Sequence, residues 1–482
     1  MADRPPLTAA VASAPAPAAR LEPDAIGVAQ DTVIGMATSG PAVSVGLTLA
    51  ALAAASAYAG GPVLVLTAVP MLIIANAYRR LNLWNASCGA SFEWVGRAIS
   101  PSLGFLTGWL MVTGTLIGTL SPVVVLGPSV LAVAGVTPAG PWPDLIIATA
   151  VSVIMLLIAV AGIRLTARTQ VAMGLAEYLI LTGFAVAGLA AVLTHHPGTF
   201  PITRAWFSHG GIGGHGSLAA GFLLAVFIYT GWDGTIYVNE EVRHRRTNPG
   251  RAAILAVALV AVIYTLSQVG LQGVVSPSRL QAHGPSALVY VAAALGGAGW
   301  AKVMALALAL SVIAATGTGI VLTARILYGM ASRGVLPGFL ASVSPRFATP
   351  VPASLAAGLV LIGLTWLYLL TSSVQGAFND VINITGLLYA AFYILTALAA
   401  IAYHRRRIFR HPWDALVTGV LPLAAIAFLG WVITRSLQTA PPAQIWSLAG
   451  VIGVGLILML TARYVLRSPF FRIPRESAAP GR

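Results

Sequence analysis

The sequence predicts an all-α polytopic membrane protein of about 12 transmembrane helices, with helices 1 and 6 broken and helices 1–5 and 6–10 related as a 5+5 inverted repeat. Three observations predict it. Of the 482 residues, 58% are hydrophobic and only 8% charged, where a soluble domain carries about 25% charged residues. The basic residues gather in the loops of one side. Two apolar runs, five helices apart, are interrupted at mid-depth by glycine and proline.

Residues 1–27 are Pro- and Ala-rich without an apolar core, so they read as a flexible cytoplasmic tail, neither a cleavable signal nor a helix. Apolar runs follow at 31–58, 61–78, 101–135, 143–161, 169–194, 217–241, 252–275, 287–327, 351–371, 379–403, 414–435 and 445–466. A helix crosses hydrocarbon in about 20 residues, and each run is close to that or longer. The third and eighth are long, and tilt or cytoplasmic extension is expected there in place of two helices each. The expected division is 28–194 for helices 1–5, 217–403 for helices 6–10, 414–466 for helices 11–12, and 467–482 for a C-terminal cytoplasmic tail.

Orientation follows from the 27 Lys and Arg residues, of which only Arg204, Arg279, Lys302 and Arg435 fall on the sparse side. The positive-inside rule then places both termini in the cytoplasm of a multi-pass cell-membrane protein. The net charge of +14 is therefore topological, and no nucleic-acid partner is expected. The single cysteine, Cys88, excludes an intrachain disulfide.

The first span contains Thr38-Ser39-Gly40-Pro41-Ala42, and the sixth Phe227-Ile228-Tyr229-Thr230-Gly231-Trp232-Asp233-Gly234. Proline lacks an N–H and clashes with the preceding turn, and glycine is the poorest helix former after proline. Backbone groups freed in hydrocarbon cost several kcal/mol unless they line a cavity or meet a ligand. Interruptions at matching places in two halves point to a transporter binding site.

The stretch from Phe227 through Gly231-Trp232-Asp233 to Asn239-Glu240-Glu241-Val242, then Asn248-Pro249 and Arg251-Ala252, resembles the sixth helix of the amino acid–polyamine–organocation superfamily. Tyr78-Arg79-Arg80-Leu81, Gly89-Ala90-Ser91, Val95-Gly96-Arg97-Ala98 and Pro101 to Trp109 resemble its second-to-third-helix segment. Gly162-Ile163-Arg164 with Ala167-Arg168 resembles its fourth-to-fifth loop, and Arg325 to Ala331 with Thr349-Pro350-Val351-Pro352 the loop after its eighth helix. The resemblance implies a LeuT-type 5+5 inverted repeat. In place of the family's usual Gly-x-Gly-Ile-Phe-like break, this chain has Ser39-Gly40-Pro41-Ala42.

By the resemblance, Thr38, Ser39, Gly40, Pro41 and Ala42 lie on the side of a substrate carboxylate, which a half-helix N-terminus suits. Phe227, Ile228, Tyr229 and Thr230, with Gly231 in the same break, lie on the side of its amine, and Phe227 resembles the aromatic that closes over substrate. Glu177 falls where many sodium-independent members carry a lysine. Its readings are a proton carrier, a sodium ligand with Thr316 or Thr318, and a neutral hydrogen-bonding residue. Asp233 is read as a cation ligand, a proton sensor or a helix cap. Thr316 and Thr318 are read as ion ligands or as small hydroxyls packed between helices. Glu240 and Glu241 stand beside Arg243, Arg245 and Arg246, as a gate pair or simply solvated, and solvation is expected for Asp31 and Asp380.

The expected function is a secondary active transporter that moves an amino acid or related amine by alternating access, coupled to protons before sodium. A polyamine or organic-cation carrier, or an exchanger, is the alternative. A membrane-embedded transferase is the distant one, because no acid, base or metal constellation converges in the spans. No enzyme activity, metal or cofactor is expected; the partners are the small-molecule substrate, protons and the lipid bilayer.

Overall fold

The computed structural model describes residues 20–136, 141–207, 218–371, 374–408 and 411–476. In chain order the helices are α1 Val28–Ser39, α2 Pro41–Ser56, α3 Gly60–Trp84, α4 Ala90–Ala98, α5 Pro101–Val124, α6 Leu126–Ala134, α7 Trp142–Ala161, α8 Ile163–Leu193 and α9 Leu218–Ile228. They continue with α10 Gly234–Tyr237, α11 Asn248–Gln272, α12 Pro277–His283, α13 Ala287–Ser332, α14 Val351–Thr371, α15 Val374–His404, α16 Pro412–Ala415, α17 Leu421–Thr439 and α18 Pro442–Leu460. Helices dominate because hydrocarbon offers no partner for a bare peptide group. Ten helices among the described residues are long and apolar enough to cross a membrane. The expected count of 12 also includes the first and sixth runs, whose halves are each too short to cross alone.

Both long runs differ from expectation, because each holds a break. The third divides at Val125 into α5 and α6. Pro128 would press its ring on the carbonyl of Val124 in a continuous helix, so the backbone leaves helical geometry between them. The eighth bends at Gly296 and at Gly297, whose φ of 76° lies in the left-handed region. The fourth-to-fifth loop shrinks to Gly162 alone, with φ 131°, and α8 starts at Ile163.

The helices sort by depth. α13 is the central column, with 83% of its apolar window buried, while α18 buries only 11% and presents Trp446 and Ile457 outward. Small residues let the inner helices touch. A Cβ on Gly104 would lie 2.5 Å from the Cα of Gly96, and one on Gly270 would lie 2.2 Å from the carbonyl oxygen of Ala185. Such contacts draw membrane helices together without a hydrophobic force between them.

Neither tail is wholly free. Ala25 and Ile26 donate N–H groups to the Glu241 carbonyl, and Ile26 pairs with Val242 as a parallel bridge. Phe470 is buried and stacks on Phe92 at 4.4 Å, and Glu476 meets Arg97 at 2.9 Å. The flexible tails expected over 1–27 and 467–482 are thus packed at 25–26 and 468–476; residues 1–19 and 477–482 lie outside the described set.

Gly270→Val should abolish the folded, monodisperse yield in detergent, because α8 and α11 can no longer cross. Gly363→Ala, where a Cβ meets nothing within 4 Å, should leave that yield unchanged.

Candidate functional site

The first break is built by two residues with opposite talents. Gly40 adopts φ 51° and ψ 70° and closes α1 with its N–H on Met36 O and Ala37 O. Pro41 then opens α2 at a position where a missing N–H costs nothing. The second break runs from Tyr229 to Asp233, between α9 and the single turn of α10. Gly231 has φ 103°, and a Cβ there would lie 2.8 Å from the carbonyl carbon of Thr38 and 2.9 Å from the nitrogen of Ser39. The two interruptions therefore meet backbone to backbone.

Tyr264 of α11 ties them further. Its hydroxyl reaches Ser39 O at 3.1 Å and Ile228 O at 3.0 Å, the terminal carbonyls of α1 and α9. Next to this junction lies a cavity of about 40 Å³. Thr38, Ser39, Val43 and Ser44 line it from the first break; Phe227, Thr230 and Gly231 from the second; Thr115, Thr119 and Ser121 from α5; and Tyr389 from α15. That is room for water and far below the roughly 300–1,000 Å³ of a filled ligand pocket. The walls must separate before a substrate fits.

Of the ten residues expected to bind substrate, the cavity gathers Thr38, Ser39, Phe227, Thr230 and Gly231. Gly40, Pro41, Ala42, Ile228 and Tyr229 shape the breaks without lining it. Glu177 reaches the first break from α8 and accepts the N–H of Ala42 at 2.7 Å and the hydroxyl of Ser311 at 2.7 Å. Thr316 and Thr318 instead bond back to carbonyls of their own helix, Val312 O and Ala314 O, so Ser311 is the α13 hydroxyl that meets Glu177. Asp233 makes no helix cap; the hydroxyls of Tyr237 and Tyr393 donate to it, and Trp232 stacks on Tyr393 at 5.3 Å.

A fully buried ion pair stands on the arginine-rich side. Arg325 of α13 grips Glu241 with two bonds of 3.0 Å, both side chains fully buried. The sequence leaves Glu241 either in a gate pair with Arg243, Arg245 or Arg246, nearer in sequence, or solvated; the structure buries it and brings Arg325 of α13 to it instead. Glu240 accepts the N–H of Cys88. Glu93 of α4 holds Arg333, at the end of α13, through bonds of 2.9 and 2.8 Å. Asp31, expected in solvent, is fully buried; the side chain of Asp380 lies outside the described set. Tyr264 and Ser311 carry no reading in the sequence, and Arg325 only one as part of the motif after the eighth run. Their signal was there, as polar side chains inside apolar runs, but no pattern named their partners.

The amino acid permease family profile matches residues 30–461, nearly the whole chain. The chain belongs to the amino acid permease family. The chain is 30% identical to the Asc-type amino acid transporter 1 of Mus musculus over 246 residues, covering 51% of the chain and 43% of that protein. It is 28% identical, over the same shares, to the large neutral amino acids transporter small subunit 2 of Mus musculus. The chain thus spans less than half the length of these relatives. An uncharacterised transporter of Mycobacterium bovis is 27% identical over 73% of the chain and 75% of its own length. Among solved structures, the Eremococcus coleocola manganese transporter shares the fold, with a TM-score of 0.57, 13% identity, and 91% and 95% of the two chains covered. The family and the ten long apolar helices among the described residues make this a multi-pass membrane protein, and the relatives it matches are named as transporters.

Two outcomes test this geometry. Gly231→Leu should reach the membrane at a reduced level and lose transport, since the side chain would strike Thr38 and Ser39 and the backbone needs φ 103°. Arg325→Met leaves Glu241 buried without its partner, a loss of about 3–5 kcal/mol. Thermal unfolding in detergent should show the drop, and Glu241→Gln combined with Arg325→Met should recover most of it.

Proposed function

We propose that this permease is a secondary transporter that carries an amino acid across the cell membrane by alternating access, with both termini in the cytoplasm and with proton coupling through Glu177. The observation that carries the proposal is the backbone junction of Thr38 and Ser39 with Gly231 beside a hydroxyl-lined cavity. Interrupted helices take peptide groups out of the helical ladder at mid-depth, where a zwitterion needs a donor end and an acceptor end. The names of the mammalian relatives support an amino acid as the cargo.

The closed state has a natural reading in this scheme. Thr38, Ser39, Gly40, Pro41 and Ala42 form the carboxylate side and Phe227, Ile228, Tyr229, Thr230 and Gly231 the amine side of a site that has collapsed to a few waters. The Arg325–Glu241 fork is the cytoplasmic gate, and helices 1–5 over 28–194 and 6–10 over 217–403 rock against each other to open it. Asp233 holds the tyrosines behind the second break in place. An organic-cation carrier is the second reading, favoured by one observation: no cationic side chain lines the cavity among the described residues.

Reconstituted protein should take up a labelled neutral L-amino acid saturably, faster under an inward proton gradient and without sodium. Phe227→Ala should slow turnover several-fold more than it weakens equilibrium binding. Uptake competed only by amines would transfer the assignment to the cation carrier; uptake that requires sodium would remove the proton.

A further inference from the structure

The N-terminus of α2 is an anion site, and the chain has already filled it. The donors at the break can be followed one by one. Gly40 N–H closes α1, Pro41 has none, and Ser44 N–H returns to Gly40 O at 2.8 Å. Ala42 N–H donates to Glu177 Oε1 at 2.7 Å, and Val43 N–H to Ser311 Oγ at 3.1 Å. Ser311 in turn donates its hydroxyl to the same oxygen of Glu177 at 2.7 Å. No backbone N–H between Gly40 and Ser44 is left for a substrate carboxylate. Glu177 is fully buried, and its second oxygen, Oε2, has no partner. The cluster shares a wall with the cavity, because Val43 and Ala315, one turn beyond Ser311, line it.

We propose that Glu177 is a resident competitor for the substrate's carboxylate: an amino acid binds as Glu177 takes up one proton and releases Ala42 N–H and the Ser311 hydroxyl to it. This rests on the amino-acid reading above. The reason is charge. One half-helix end and one hydroxyl stabilise a single negative charge, and a second ionised carboxylate beside the first is strongly disfavoured. The proton comes from water on the open side and settles on Glu177 to give the neutral acid. The substrate's carboxylate stays ionised and inherits the donors. The local charge is unchanged, and one proton enters with each substrate molecule.

Among the described residues, no cationic side chain hydrogen-bonds Glu177. The hydroxyls of Tyr178, on the same helix, and Tyr264, on α11, are the titratable groups that feel Glu177. The side chains of α2 carry no titratable group. Along the helix axes, Asp31 of α1 lies about 12 Å before the break, Arg168 of α8 about 13 Å from Glu177, and Lys302 and Arg325 of α13 about 13 and 21 Å from Ser311. Arg251 of α11 and Asp144 of α7 sit in the first turns of their helices.

The test uses full-length protein in proteoliposomes, with L-leucine and L-leucinamide, which keeps the amine and lacks the carboxylate. Over the range where Glu177 is ionised, leucine affinity should fall about tenfold for each unit of rising pH, while the affinity of leucinamide, referred to its charged-amine form, stays flat. A trapped pH dye should report one proton per leucine. Glu177→Gln should bind leucine without pH dependence, exchange it across the membrane, and fail to accumulate it under a proton gradient. Glu177→Asp should retain the pH slope, which keeps the test available if the glutamine variant misfolds. Wild-type leucine transport with flat affinity and no proton uptake overturns this inference and leaves the amino-acid reading standing. Binding of leucinamide alone at every pH overturns both.

Discussion

A helix interrupted inside hydrocarbon exposes peptide groups that have no water to turn to, and this structure is organised around giving those groups partners. The first break spends its donors on Glu177 and Ser311 and its terminal carbonyl on Tyr264. The second shares the same tyrosine and presses Gly231 against Thr38 and Ser39. Six helices, α1, α2, α8, α9, α11 and α13, are therefore tied to one another by the needs of about half a dozen backbone atoms. The cost of leaving any of them bare is several kcal/mol, so the junction can open only if a substrate or a repositioned side chain replaces what is lost.

On the arginine-rich face the same logic is written in side chains. Arg325 and Glu241 are fully buried, and each is costly without the other. Around them, the segment before α1 is stitched to the loop after α10 by Ala25, Ile26 and Arg243. The amphipathic α4 adds Glu93 beneath the end of α13, and the C-terminal segment lays Phe470 on Phe92. These contacts join the start of α1, the end of α10 and the end of α13 into one plate.

The manganese transporter that shares this fold at 13% identity illustrates how little the scaffold says about cargo. The discriminating features are local. Here the cavity is walled by hydroxyls and an aromatic pair, and the carboxylate of Glu177 stands behind the wall, not in it. Chemistry of that kind is read from the site and from nowhere else in the molecule.

The amino-acid order by itself determined what depends on neighbours within a helix turn or on solvent. Composition and run length demanded membrane helices, because only apolar residues tolerate hydrocarbon. Gly40-Pro41 and Gly231 announced the breaks, because their backbone preferences are intrinsic. The third run shows the limit even there: its length implies tilt or cytoplasmic extension, and Pro128 by itself does not tell a kink from the break at Val125. What the tertiary structure decided is which distant groups become partners. Glu177 meets Ala42 across 135 positions and Ser311 across 134. Glu241 passes over its neighbouring arginines for Arg325, 84 positions away. Thr316 and Thr318 turn back to their own helix while Ser311, a turn earlier, faces the junction. Such choices depend on the rotation and depth of whole helices, which are set by close packing at residues such as Gly188, Gly270 and Gly104, and no local pattern in the chain encodes them.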